Sequence, residues 1–148
     1  MRANRALNTA PERRFRAALA AVGIRGYRLN LKGVLGRPDV AFPAQKIAVF
    51  IHGCFWHHCP RCQPRLPRRH QAFWKRKFEL NRERDARKRS ALEVAGWVVF
   101  EFWECEVRNH LGRCVHALSR ALASASIYAR RETASRLLVA DSPRRRRP

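Results

Sequence analysis

Three cysteines lie within nine residues in the segment HGCFWHHCPRC, which covers residues 52–62. Cys59 and Cys62 have the two-residue spacing of a zinc knuckle, and Cys54 lies five residues upstream of Cys59, close enough to reach the same ion. We find no secretion signal, so a metal site in a reducing compartment is favoured over a disulfide framework. Buried free thiols are the alternative interpretation.

A tetrahedral zinc site needs a fourth ligand from elsewhere in the chain. Cys105 is the first candidate, because it follows the apolar segment WVVFEFW and the end of one core strand can lie beside the end of its neighbour. Cys114 and His58 are the alternatives. Four protein ligands would fill the coordination sphere, so such a zinc ion is expected to be structural and not catalytic.

Asp39 and His57 suggest a second chemistry, the hydrolysis of a phosphodiester. This reaction needs a hard cation that neutralises the developing negative charge and a group that deprotonates water. Asp39 can supply an oxygen ligand to Mg²⁺, and the neutral imidazole of His57 can take the proton. Each residue also has a simpler interpretation, Asp39 as a solvated residue at a strand edge and His57 as a zinc ligand or surface histidine.

Phe55 and Trp56 stand between the cysteines, on a loop that a bound zinc ion would hold rigidly. Aromatic side chains on such a loop of a basic protein can insert between base steps, and the cost of unstacking is lowest at a mismatch. Trp74 is a candidate to join them. Core packing is the alternative, and it is the favoured interpretation for Trp97 and Trp103.

The charge of the chain points to a polyanionic partner. The 148 residues include 32 Lys and Arg against 11 Asp and Glu, a formal net charge of +21. A basic solvated surface without a specific partner is the alternative. No stretch of the sequence approaches the roughly 20 apolar residues of a membrane span, so we expect no membrane association and a cytoplasmic location.

The elements that would position these residues can be predicted from the order of the segments. The segment TAPE predicts a helix capped by Thr9, with Glu12 completing a capping box, and a stop at Gly23. DVAF and KIAVFI predict an antiparallel hairpin. A four-residue turn would pair Phe42 with Ile47 and place Asp39 opposite the end of the second strand.

The remaining segments predict a mixed sheet flanked by helices, which is an α/β fold. Further elements are expected at 27–31 (strand), 71–95 (helix), 97–103 (strand) and 107 to about 123 (helix). We expect one domain over residues 1–125 and a basic, partly disordered tail over residues 126–148.

From Met1 to about His110 the residues resemble the very-short-patch repair (Vsr) DNA mismatch endonucleases. The resemblance is carried, in order, by MRANRALNTAPE, GRPD, VFIHGCFWHHCPRC, FWKRKFELNRERD and GWVVFEFWEC. It implies a restriction-endonuclease-like α/β fold, with a mixed β-sheet flanked by helices and a structural zinc site. It also implies an enzyme that nicks one DNA strand 5′ of the thymine in T:G mismatches, which arise when 5-methylcytosine deaminates.

The resemblance also implies roles for individual residues. Asp39 and the backbone carbonyl of Ile51 would bind Mg²⁺, and His57 would be the general base. Glu12 would act in the outer shell of the metal, while His52 and Asp85, with Asn81 and Arg84 beside it, would belong to the catalytic neighbourhood. The zinc ligands would be Cys54, Cys59, Cys62 and Cys105, although a better-known member has a histidine at the position of Cys59. The wedge that opens the duplex would be Phe55, Trp56 and Trp74.

Two other functions fit part of this pattern. One is an endonuclease of the same fold that cuts DNA without mismatch specificity, and the other is a zinc-stabilised DNA-binding module without catalysis. A pure binding module has no need of Asp39 and His57 together. We expect the protein to act as a monomer on double-stranded DNA containing a mismatch, in association with the nucleoid and with general repair factors as possible partners.

Overall fold

Helices lie on both faces of a four-stranded sheet in residues 7–140, the part of the chain that the computed structural model describes; side chains are described as far as residue 130. The helices are α1 (Ala10–Ala21), α2 (Gln71–Val94), α3 (Glu104–Asn109) and α4 (Leu111–Ala140). The strands are β1 (Arg28–Leu29), β2 (Val40–Phe42), β3 (Ile47–His52) and β4 (Val98–Trp103). The predicted mixed α/β architecture is confirmed.

The first helix begins at the predicted cap. Thr9 has extended backbone geometry, and its hydroxyl accepts a hydrogen bond from the backbone N–H of Glu12 at 3.5 Å. The Glu12 carboxylate in turn accepts from the Thr9 hydroxyl at 2.7 Å and from the backbone N–H of Asn8 at 2.9 Å. The cap therefore also fixes a buried carboxylate at the start of α1.

The sheet has the order β1-β2-β3-β4, and only the pairing of β3 with β4 is parallel. Phe42 lies opposite Ile47 in the β2–β3 hairpin, as the sequence predicts. The strand predicted for residues 27–31 is shorter than expected. It ends at Leu29 because Asn30 has a positive φ of 47°, a left-handed conformation that does not continue a strand.

The two faces of the sheet have different environments. One face packs against α1, α3 and α4, where Phe15 lies 5.5 Å from Phe102 between ring centroids. Because side chains alternate along a strand, Phe50 and His52 of β3 share the other face with Glu101 and Trp103, their partners on β4. Helix α2 contacts β4 and contributes to the cavity on the face that carries polar groups.

The C-terminal segment differs from the expectation. The single helix predicted for residues 107 to about 123 is two helices with a break at His110, and α4 continues to Ala140. Residues 113–140 contain no glycine or proline and many alanine, leucine and arginine residues, which favour a helix. The start of the expected tail is therefore helical, and its arginine run lies outside the described residues. None of the helices in residues 7–140 is long and apolar enough to cross a membrane.

Candidate active site and cysteine cluster

A cavity of about 720 Å³ opens between the start of α1, the hairpin and α2. Each element contributes residues at its end or on one face: the first turn of α1, the residue before β2, the last residues of β3, the loop after it and the middle of α2. The cavity is lined by all of the residues predicted for catalysis or Mg²⁺ binding, namely Glu12, Asp39, Ile51, His52, His57 and Asp85.

Asp39 occupies the position that the hairpin register predicts. Its Oδ2 accepts a hydrogen bond from the backbone N–H of Ile51 at 2.7 Å. Burial raises the pKa of Asp39 to about 6, with a smaller contribution from the neighbouring Glu12 carboxylate and against the opposing effect of this hydrogen bond. A buried carboxyl group that is costly to ionise alone is a site where a bound cation would stabilise the charged form.

His57 forms a hydrogen-bonded pair with a carboxylate on α2. Its Nδ1 lies 2.5 Å from Oδ2 of Asp85. Burial alone would raise the pKa of Asp85, but the hydrogen bond from His57 and the positive charges around it lower the pKa below its ordinary value. Asp85 is therefore an ionised acceptor, so Nδ1 of His57 donates to it and Nε2 is left free to accept a proton.

His52 forms a second histidine–carboxylate pair that we did not predict. Its Nε2 lies 3.2 Å from Oε1 of Glu101, and Arg89 donates to Oε2 of the same carboxylate at 2.9 Å. The hydrogen bond from His52 lowers the pKa of Glu101, burial opposes this effect, and Arg89 adds to the lowering. The signal in the sequence was a charged residue inside the otherwise apolar strand WVVFEFW.

The two histidine pairs are close to each other. The ring centroids of His52 and His57 are 4.5 Å apart, and potential ligand atoms of both histidines and Asp85 lie within 4.8 Å of one another. Lys88 also lines the cavity, with its Nζ 4.0 Å from Asp85 Oδ1. This arrangement offers oxygen and nitrogen ligands, a proton acceptor and a cationic group in one open space.

The four cysteines predicted to bind zinc form a separate cluster. Their sulfur atoms lie within 4.8 Å of one another in the group Cys54, Cys59, Cys62 and Cys105. The two alternative ligands lie elsewhere: Cys114 is part of the main core, and His58 stacks on Phe78 with ring centroids 5.1 Å apart.

The thiols of this cluster have different pKa shifts: burial raises the pKa of Cys54 and of Cys105, whereas the pKa of Cys59 is lowered. Burial would raise the pKa of the Cys59 thiol, but backbone N–H groups of Cys62 and Arg61 and the neighbouring thiols outweigh burial and lower it. The backbone N–H of Cys105 also donates to Cys54 Sγ at 3.3 Å. Four sulfur atoms this close together could hold one metal ion, and four thiolates are the ligand set of a structural zinc site.

The predicted wedge residues form an aromatic cluster beside the cavity. The ring of Phe55 lies 5.2 Å from Trp56 and 5.2 Å from Trp74 between centroids. Trp56 is 38% exposed, and its backbone carbonyl accepts a hydrogen bond from the side chain of Asn81 at 2.8 Å. Phe73, next to Trp74, is 59% exposed and was not predicted. Part of the aromatic cluster is therefore packed inside the protein, and part of it is exposed to solvent.

A mixed sheet that carries an acidic and histidine-rich cavity at the end of a hairpin, in a strongly basic chain, is compatible with a nuclease. Comparison with known proteins identifies the family of nucleases. Residues 1–63 match the family described as DNA mismatch endonuclease Vsr. The chain belongs to this family and is therefore an endodeoxyribonuclease that acts on DNA.

Several relatives are similar over most of their length. The type II nicking enzyme V.XorIIP of Xanthomonas oryzae pv. oryzae is 41% identical over 105 residues, which cover 71% of this chain and 76% of that protein. The DNA mismatch endonuclease Vsr of Escherichia coli is 35% identical over 122 residues, 82% of this chain and 78% of that protein. The type II nicking enzyme V.NmeAIP of Neisseria meningitidis is 40% identical over 101 residues, 68% and 71% of the two chains.

Proposed function

We propose that this endonuclease nicks one strand of duplex DNA 5′ of the thymine in a T:G mismatch, by Mg²⁺-dependent hydrolysis of the phosphodiester. The observation that carries the proposal is the single cavity lined by Asp39, His57 and Asp85. An acidic metal ligand and an oriented proton acceptor are the two groups that phosphodiester hydrolysis requires. The relatives named as nicking enzymes support cleavage of one strand.

The residues of the cavity divide the work of hydrolysis. Asp39 and the backbone carbonyl of Ile51 would hold Mg²⁺, which when bound supplies charge stabilisation for the phosphate. Glu12 would act from the outer shell. The free Nε2 of His57 accepts the proton of the attacking water, and Asp85 stabilises the imidazolium that results, through the hydrogen bond to Nδ1.

We further propose that the cysteine cluster binds a structural zinc ion. All four positions of a tetrahedral ion would be taken by Cys54, Cys59, Cys62 and Cys105, which leaves no position for a substrate. The ion would join the loop after β3 to the start of α3. Its function would be to hold the aromatic residues and His57 in place.

Recognition of the mismatch is assigned to the aromatic cluster. Insertion of Phe55, Trp56 and Trp74 between base steps requires local unstacking, which costs least where bases are mispaired. The net charge of +21 provides attraction to the phosphate backbone. We expect a monomer to act on nucleoid DNA in the cytoplasm, with general repair factors as possible partners.

A nicking assay tests these assignments on two duplexes that differ only by a T:G mismatch or a C:G pair. We expect Mg²⁺-dependent nicking 5′ of the mispaired thymine in the first duplex and little cleavage of the second. Equal cleavage of both would favour the endonuclease without mismatch specificity. No cleavage of either duplex with Mg²⁺ present would refute the proposed reaction and leave a DNA-binding role.

A further inference from the structure

We propose that Glu101, held by Arg89, is a positioning residue that fixes the ring of His52 and so leaves its Nδ1 as an acceptor for the cavity. This inference rests on the proposed function, because the acceptor would serve the same hydrolysis. It assigns a role to a strand residue that the sequence analysis did not select. Glu101 itself does not line the 720 Å³ cavity, so it acts through His52.

The carboxylate of Glu101 has a hydrogen-bond partner at each oxygen. Oε1 of Glu101 lies 3.2 Å from Nε2 of His52, and Oε2 accepts from Nη1 of Arg89 at 2.9 Å. Arg89 is itself held from its other side, where its Nε donates to Glu93 at 2.9 Å. Both oxygens of Glu101 are therefore engaged, and the carboxylate cannot rotate freely to release the histidine.

The imidazole ring of His52 is confined by neighbouring aromatic side chains. His52 lies between two aromatic side chains of the same sheet face: its ring is stacked on Phe50 at 6.4 Å and lies 5.4 Å from the ring of Trp103. The parallel register places Glu101 opposite Phe50, two pairings before the His52–Trp103 pair and therefore on the same face of the sheet. The side chain of His52 is 11% exposed, so the ring has few alternative orientations.

The contact with Glu101 determines which nitrogen of the neutral His52 ring carries the hydrogen. A carboxylate only accepts hydrogen bonds, so Nε2 of His52 carries a hydrogen that it donates to Glu101. In the neutral ring Nδ1 is then an acceptor. His57 has the opposite arrangement, since its Nδ1 donates to Asp85 and its Nε2 is free. Two rings 4.5 Å apart thus present different nitrogen atoms as acceptors.

The consequence is a division of roles between the two histidines. His57 takes the proton of the attacking water, as proposed above. His52 accepts a second hydrogen bond in the same cavity and so orients a water molecule without removing its proton. Glu101 keeps the ring of His52 in the orientation that this requires. Its removal should therefore lower the rate of the chemical step more than the affinity for DNA.

The test combines nicking kinetics with NMR of the histidine ring. Glu101→Gln keeps the length of the side chain, but its amide cannot accept from His52 and Arg89 at once. We expect the nicking rate at saturating T:G duplex to fall about tenfold, as for other partners that orient an active-site histidine, with KM changed less than about twofold. Two-bond ¹H–¹⁵N spectra should show Nε2–H at His52 in the unmodified protein and a mixture of tautomers in the variant.

A matched control removes the same charge from an exposed residue of α2 outside this network. Glu79→Gln leaves the contacts of Glu101 with His52 and Arg89 in place, so we expect wild-type rate and spectrum. An Nδ1–H tautomer of His52 in the unmodified protein would overturn the proposal, whether or not the variant folds. An unchanged rate in Glu101→Gln, or an equal loss in Glu79→Gln, would also overturn it. If the unmodified protein nicks no duplex, the proposed function fails, while the NMR spectra still decide the position of the proton.

Discussion

Two groups of candidate metal ligands have members interleaved within residues 52–62, and the groups differ in chemistry and in access. The cysteine cluster has four sulfur atoms within 4.8 Å, three of them on the buried residues Cys54, Cys59 and Cys105. The cavity has carboxylate oxygens and imidazole nitrogens around an open volume of about 720 Å³. Soft ligands in a closed set favour a structural ion, and hard ligands in an open space favour one that takes a substrate.

The difference shows how one short loop can serve both purposes. The backbone N–H of His57 donates to the carbonyl of Gly53 at 3.2 Å, and that of Cys59 donates to the carbonyl of Cys54 at 2.9 Å. His57 and Trp56 therefore lie within the same turns that carry two of the cysteines. A catalytic group must be held close to its productive geometry, and fixing the loop at its cysteines would do this.

The cavity should depend most on Asp39. Asp39→Ala removes the carboxylate proposed to bind Mg²⁺, and metal charge stabilisation is worth several kcal/mol, so we expect nicking to fall about a thousandfold or more. Zinc content and thermal unfolding should change little, because the cysteine cluster is untouched. Single-turnover nicking of a T:G duplex measures the first effect, and metal analysis measures the second.

Glu79→Gln is the control for Asp39→Ala, because it removes an exposed carboxylate of α2 that is paired only at 3.6 Å with Arg76. It should nick at the wild-type rate. Residual nicking of Asp39→Ala within tenfold of the unmodified protein would contradict the role of Asp39 as the metal ligand.

Substitution of a residue in the cysteine cluster should lower zinc content and stability, which Asp39→Ala should leave nearly unchanged. Cys59→Ser removes a fully buried ligand, and we expect loss of the zinc ion and a fall of several kcal/mol in the free energy of unfolding, because the binding energy of a structural zinc contributes to folding. Nicking should also fall, because the loop that carries His57 loses the ion proposed to fix it. Metal analysis and chemical denaturation with and without chelator measure both effects.

Cys114→Ala is the matched control for the cysteine prediction. It also alters a buried cysteine, but one that packs in the main core with Phe15 and Leu118. The zinc content should stay at about one ion per chain. Zinc retained in Cys59→Ser, or lost in Cys114→Ala, would show that the four-cysteine assignment is wrong.

Much of this arrangement follows from local rules in the sequence. The cap at Thr9 and Glu12 and the pairing of Phe42 with Ile47 are set by residues a few positions apart. The position of Asp39 beside Ile51 then follows from the hairpin register. These features could be predicted because each depends on short-range geometry that leaves few alternatives.

The features that were missed depend on longer-range pairing. Glu101 meets His52 across 49 residues, and only the parallel register of β3 with β4 brings the two together. Arg89 joins them from helix α2, which no spacing rule indicates. The last helix is also longer than predicted: it continues to Ala140 through a segment without glycine or proline, in which no residue signals a stop.

Removal of a ring from the aromatic cluster should weaken DNA binding. This effect should be smaller than the loss of nicking in Asp39→Ala. Trp56→Ala removes an exposed ring that lines the cavity, and loss of stacking on a base is worth about 1–3 kcal/mol, so binding of T:G duplex should weaken at least about fivefold. The preference for T:G over C:G duplex should fall with it. Fluorescence anisotropy on the two duplexes measures both effects.

Tyr128→Ala is the control for Trp56→Ala, since Tyr128 is an aromatic residue of α4 that is 68% exposed. Its removal should leave the affinity for both duplexes unchanged. Equal weakening of T:G and C:G binding by Trp56→Ala would mean that this ring contributes general affinity and not recognition of the mismatch.

The smallest effect is expected at the cap of α1, which belongs to the cavity and not to the cysteine cluster. Thr9→Ala removes the hydroxyl that donates to Oε1 of Glu12 at 2.7 Å and caps the helix, so the free energy of unfolding should fall by about 1 kcal/mol. Nicking should fall less than about tenfold, because Glu12 keeps its hydrogen bond from Asn8, while the zinc content should not change. Thr9→Ser keeps the hydroxyl and should restore both stability and rate. If Thr9→Ala lost zinc as well, the two sites would share more than the loop after β3, and the separation between them would have to be abandoned.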